Sequence, residues 1–172
     1  MRKLLIFNDS IGRIAAVFAA VLILSIVLVT LSEIAARTFF AYSLSFAWEY
    51  NGYAMGAAMF SGLAFTLRTG GHVRVSLLNN VLPARAVHWL DTIVAVVGFG
   101  FSLFVTSALG QMALTSFLNG KRSPSVTATP LVLPQGLIAL GALLLTLQLA
   151  AYAVRRLIGD EPEDIGSSYL AD

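Results

Sequence analysis

Residues 46–78 constrain this chain more than any other stretch. A carboxylate set among aromatics, Phe46-Ala47-Trp48-Glu49-Tyr50, opens a long apolar run, and the basic, glycine-broken turn Arg68-Thr69-Gly70-Gly71-His72-Val73-Arg74 closes it. The run from 46 to 67 is about 22 residues, or about 33 Å of helix at 1.5 Å a residue. That matches a bilayer hydrocarbon core of about 30 Å. Trp48, Tyr50 and Tyr53 stand where amphipathic rings favour the headgroup level. Glu49 falls in the first turn, where unpaired N–H groups favour a negative charge. Gly70-Gly71 can stop the helix. Polar groups at both ends of an apolar helix of this length describe a membrane span.

Three further runs, 14–35, 90–117 and 133–154, have the same character. With 58% hydrophobic and 12% charged residues, the chain has the composition of an integral membrane protein. The reading is all-α: four tilted transmembrane helices in a single domain, 1–158, followed by a polar, acidic, disordered cytoplasmic tail, 159–172. A cleaved signal would carry an apolar region of about 7–15 residues. The run 14–35 exceeds it, so the first helix is read as retained, with Asp9 or Ser10 as its cap. The third helix, from Pro83 to Leu118, would be about 54 Å long. It must tilt, break at Gly98 or Gly100, or project from the membrane. Pro83 and Pro134 suit first turns. Leu77, Leu78, Val81 and Leu82 predict a short amphipathic interfacial helix after helix 2.

Orientation follows from the basic residues beside the spans. Of the 11 Lys and Arg residues, Arg2, Lys3, Arg13, Arg68, Arg74, Arg85, Arg155 and Arg156 fall on one side, and Arg37, Lys121 and Arg122 on the other. Both termini are therefore expected in the cytoplasm. The pI of about 9.2 reflects this topology and not nucleic-acid binding.

Candidate functional residues cluster at span ends. Glu33 and Arg37, four apart, share a helix face. They form either an interfacial ion pair or a carboxylate turned to a partner or an ion path. Ala54, Ala58 and Gly62 recur every fourth residue, with Gly52 and Gly56 as a GxxxG pair, a pattern that admits another helix closely. Arg68, His72 and Arg74 suit an anchor on lipid phosphates or on a scaffold, and Trp48 and Glu49 a contact at the opposite surface. Neither histidine has a partner at metal-ligand spacing, and with no cysteine there is no thiolate or disulfide chemistry. No catalytic constellation or phosphate loop is present in the sequence, so no enzyme and no cofactor in this chain are expected.

Phe46-Ala47-Trp48-Glu49, the Gly62 region and Leu67-Arg68-x-x-x-His72-Val73-Arg74-Val75-x-Leu77-Leu78, with Glu33-x-x-x-Arg37 before and a proline-led fourth helix after, resemble the small membrane subunit of tripartite ATP-independent periplasmic (TRAP) transporters. The resemblance covers residues 10–158, and Arg68-x-x-x-His72-Val73-Arg74-Val75 is its most specific part. The chain departs from the family pattern at Phe46, often Trp there, at Trp48-Glu49, often a pair of acids, and at Ser76, usually an acid. The resemblance implies a non-enzymatic subunit of the bacterial inner membrane. It pairs with a large multi-span permease subunit, which carries the substrate and the sodium ions, and a periplasmic binding protein delivers a carboxylate-bearing organic acid. The small subunit would enlarge the scaffold and help dock the binding protein, with phospholipids around it. Two other classes stay open: a self-contained proton-coupled exporter using Glu33 or Glu49, and a membrane anchor of a redox complex.

Overall fold

The computed structural model describes residues 2–68 and 83–158, with side chains at 11–67, 83 and 86–158. Among these residues there are four helices and no strand: α1 (Arg2–Phe40), α2 (Phe46–Arg68), α3 (Ala84–Leu118) and α4 (Val132–Ile158). The interfacial helix expected near 77–82, with His72 and Arg74, and the tail 159–172 lie outside the described residues.

Helix α1 begins well before the expected cap. Asp9 and Ser10 lie inside it, because residues 2–40 contain no proline and only Gly12 to interrupt them. It stops at Ala41, which takes a left-handed φ of 50°. The Tyr42 N–H then reaches back to the Ala36 carbonyl at 3.3 Å. Helix α3 is continuous through Gly98 and Gly100, so neither glycine breaks it. At about 52 Å it exceeds a bilayer core, which leaves tilt or projection to absorb the excess. Pro83 is its N-cap, with φ −64° and ψ 146°, one position ahead of the expected first turn. Pro134 does fall in the first turn of α4.

The helices pack in the order α1, α2, α4, α3. Helix α4 inserts between α2 and α3, so these two chain neighbours do not meet, and α1 touches α4 only marginally. Leu22 of α1 with Ala57 and Ala58 of α2 forms the centre, flanked by Phe18, Ala54, Leu137 and Ile138. Large side chains such as Val21, Leu24, Phe101 and Phe104 point outward. The buried positions are mostly alanine, serine, threonine and glutamine. This is the arrangement expected in lipid, where apolar bulk has no water to escape and small residues let helices approach. Hydroxyls join α3 to α4: Thr146 lies 2.7 Å from Ser102 and 2.8 Å from Thr106.

Among the described residues, three helices are long and apolar enough to cross a membrane: Ile11–Phe40, Ala86–Leu118 and Val132–Ile158. Helix α2, the stretch that shaped the sequence reading, is not among them. Its composition is the reason. Alanine and glycine add little hydropathy, and Glu49, Asn51 and Ser61 subtract from it. Flanked by α1 and α4, it also presents less surface to lipid than the outer helices.

Candidate functional site

The two acids singled out from the sequence lie at the same end of the bundle, and each holds a connection. Glu33, on the last turns of α1, accepts from Arg37 Nε, from Ser43 Oγ at 2.8 Å and from the Leu44 backbone N–H at 2.5 Å. Arg37 Nη2 also donates to Ser43 Oγ at 3.1 Å. The expected ion pair therefore forms, and it is wired into the α1–α2 turn. At the sixth residue of α2, Asn51 donates to Thr30 Oγ1 of α1 at 3.0 Å.

Glu49 does for the α3–α4 loop what Glu33 does for the turn. Its Oε1 accepts from Tyr53 Oη at 2.5 Å, and its Oε2 accepts from Ser125 Oγ and from Thr127 Oγ1, both at 2.5 Å. Tyr50 Oη lies 3.3 Å from Thr129 Oγ1. The loop closes on itself as well. Ser123 N–H donates to Thr129 O at 2.8 Å and Leu131 N–H to Lys121 O at 3.0 Å, around an isolated bridge between Arg122 and Pro130. Two or three charge-assisted bonds to one carboxylate are the strong kind. Trp48, by contrast, is 90% exposed.

The far end carries a pair that the sequence reading missed. Arg156 of α4 is 5% exposed and meets Asp91 of α3 at 3.1 Å. Its Nε donates to Tyr152 Oη at 3.2 Å, and the guanidinium lies 5.4 Å from the Tyr152 ring centre. Each charge had a local explanation, Asp91 as an interfacial acid and Arg156 as a topology signal, so nothing in one dimension linked them.

The small residues of α2 divide between faces. Ala58 is buried against Leu22 of α1, with Ala54 beside it. Gly62, third in that series, faces open space: a Cβ built there meets nothing within 4 Å. Close approaches to α4 involve Gly56, of the GxxxG pair, and residues outside both patterns. A Cβ on Gly141 of α4 would stand 3.0 Å from both the Ala57 carbonyl oxygen and Ser61 Oγ, and one on Gly56 would stand 3.1 Å from Ile138 Cδ1. Ala57, Ser61 and Ala64 form their own small-residue stripe, all fully buried. That spacing is the signal that could have found the α2–α4 contact. Arg68 ends α2; its side chain, with His72 and Arg74, is outside the described atoms.

The chain has a counterpart among known families. Residues 26–159 match the family model for tripartite ATP-independent periplasmic transporters, DctQ component. The chain belongs to the DctQ family. DctQ is the small component of the TRAP transporter, a transporter part and not a kind of enzyme. The matched region takes in the two acid clamps, the α2–α4 contact and the Asp91–Arg156 pair. No curated protein and no solved structure matches the chain at a significant level. As a DctQ protein with three helices long enough to span, it is a membrane protein.

Proposed function

We propose that this chain is the small membrane subunit of a sodium-driven, binding-protein-dependent importer of carboxylate-bearing organic acids in the bacterial inner membrane. The family match over residues 26–159 carries the reading. In this account α2 is the fourth span and both termini are cytoplasmic, as the basic-residue asymmetry favours. The α1–α2 turn and the α3–α4 loop then face the periplasm, where a binding protein arrives. A large permease subunit holds substrate and sodium ions, this chain holds no cofactor, and its four helices enlarge the permease's fixed scaffold. The Arg68–Arg74 turn, at the cytoplasmic surface, anchors the chain on phospholipid phosphates or on the scaffold.

The engagement of both carboxylates supports a scaffold over a self-contained exporter. A proton site must alternate between bound and free states, and Glu33 and Glu49 are each committed to three donors at the bundle's end. The family match weighs against a redox-complex anchor. The deciding experiment reconstitutes the chain in liposomes under an inward sodium gradient, alone and with the large subunit and binding protein. Uptake is expected only with all three. Uptake by the isolated chain overturns the proposal.

A further inference from the structure

An open groove of about 670 Å³ lies between α1 and α2 at the end that carries their turn. Its lining changes along its length. Arg37 and Ser43 stand at the turn, Thr30 and Asn51 part-way along, and Ile26 and Met55 farthest in. Arg37 and Ile26 are eleven residues apart on α1, about 16 Å of helix. The groove therefore runs from the Arg37–Glu33 ion pair to apolar side chains, over the depth that separates a lipid headgroup from its acyl region. Trp48 stands beside its polar mouth, where an indole favours the interface.

The groove does not part α1 from α2. Beneath it α1 and α2 touch through Leu22 and Ala58, and the 3.0 Å bond from Asn51 to Thr30 crosses between the helices. A helix with side chains is about 10–12 Å across, so one could lie over the groove but not enter between α1 and α2, and the photoreactive arm of the test below separates that occupant from lipid. A volume of this size does fall within the range of about 300–1,000 Å³ usual for small-molecule sites.

The spare donors of Arg37 offer the contact for a headgroup phosphate. Arg37 is 66% exposed. Its Nε and Nη2 already donate to Glu33 and Ser43, which holds the guanidinium in place. A guanidinium has five N–H donors in a fixed fork, so further donors remain for an incoming anion, and a fixed fork suits phosphate. Asn51 keeps a second amide N–H beyond the one given to Thr30, at the level of a lipid's ester carbonyls.

We propose that this groove holds one phospholipid molecule, its phosphate on Arg37, its glycerol esters beside Asn51 and an acyl chain along Ile26 and Met55. The site joins the chain to its leaflet at the turn end. The inference rests on the bilayer location in the reading above and on nothing about substrate or permease.

Gly52 supplies the test. It lies in the groove lining, and a Cβ there meets nothing within 4 Å, so Gly52→Phe starts a bulky side chain from open space within the groove. Gly62→Phe is the matched control at an open position away from the groove. The full chain is purified in mild detergent and titrated with phosphatidylglycerol, and with a diacylglycerol of the same acyl chains, by native mass spectrometry. Wild type and Gly62→Phe are expected to hold one phosphatidylglycerol about tenfold more tightly than diacylglycerol, the scale of one charge-assisted contact. Gly52→Phe is expected to lose the bound lipid, and Arg37→Gln to erase the preference for the phosphate. Because Arg37→Gln also frees Glu33, the helical circular dichroism of each variant is compared with wild type. If Arg37→Gln does not fold, the diacylglycerol comparison on wild type and Gly52→Phe still decides the question. Equal binding of the two lipids by wild type, or an unchanged lipid adduct in Gly52→Phe, overturns the proposal. So does capture of a permease peptide in place of lipid by a photoreactive residue at position 52 in the assembled transporter. Uptake is not a readout here, so failure of the transport reading leaves these results interpretable.

Discussion

Gly141 and Ser61 meet where α4 crosses α2, so closely that a methyl on Gly141 would lie 3.0 Å from Ser61 Oγ and from the Ala57 carbonyl oxygen. Helices in lipid gain little from hiding apolar surface, so the contact relies on close packing between small residues. It fixes α2, and through α2 the Glu49 clamp, against the helix that follows the clamped loop.

Gly141→Ala should therefore destabilise the bundle even though alanine is the better helix former. The Ala57 oxygen is backbone and cannot swing aside, and overpacking costs about 1–3 kcal/mol. Gly62→Ala meets nothing and should instead gain about 0.5–1 kcal/mol from lower backbone entropy in the unfolded chain. Thermal unfolding in detergent compares the two. Equal midpoints for both variants would mean that α2 and α4 do not approach at Gly141.

The α1 terminus offers a stabilising change. Ala41 holds φ at 50°, a conformation that costs an L-residue about 1–2 kcal/mol and glycine almost nothing. Ala41→Gly should raise stability by about 1 kcal/mol, less some unfolded-state entropy. A lower melting temperature for the variant would show that α1 ends differently.

Much of this architecture is legible in one dimension, for physical reasons that differ by element. Helices α1, α3 and α4 show as long apolar runs because lipid-facing side chains must be large and apolar. Glu33–Arg37 shows because helix geometry brings residues four apart together. Helix α2 is harder. Its small residues satisfy several faces at once, and only the partners, Leu22 for Ala58 and Gly141 for Ser61, decide which face is which. The bond from Thr127 to Glu49 spans 78 residues of sequence, so no local pattern announces it.

That long-range clamp predicts a change in loop order. Tyr53, Ser125 and Thr127 all present O–H donors to Glu49. Glu49→Gln puts an amide NH₂, itself a donor, against them and removes the charge that strengthens each bond. The loop should open more often. In detergent, trypsin should cleave after Lys121 and Arg122 faster than in wild type, while helical content is unchanged. Identical cleavage rates would mean that the loop's own backbone bonds suffice to order it.

The Asp91–Arg156 pair asks whether a nearly buried charge stabilises the α3–α4 contact or merely sits in it. Arg156 is almost inaccessible, while the Asp91 side chain is 31% exposed. Breaking a fully buried pair costs about 3–5 kcal/mol, because the remaining charge is stranded. Water at Asp91 screens part of that, so Asp91→Asn should cost less, about 1–3 kcal/mol. Arg156→Lys keeps the charge but loses the fork that reaches Asp91 and Tyr152 together, and should also destabilise. Removing both charges, as in Asp91→Asn with Arg156→Gln, strands neither group. The double variant should therefore lie closer to wild type than the sum of Asp91→Asn and Arg156→Gln, by about 1 kcal/mol or more of coupling. Thermal unfolding of the four proteins measures it. Additive losses would mean that the two side chains are neighbours without energetic coupling, and that Tyr152 and the surrounding packing hold Arg156 in place.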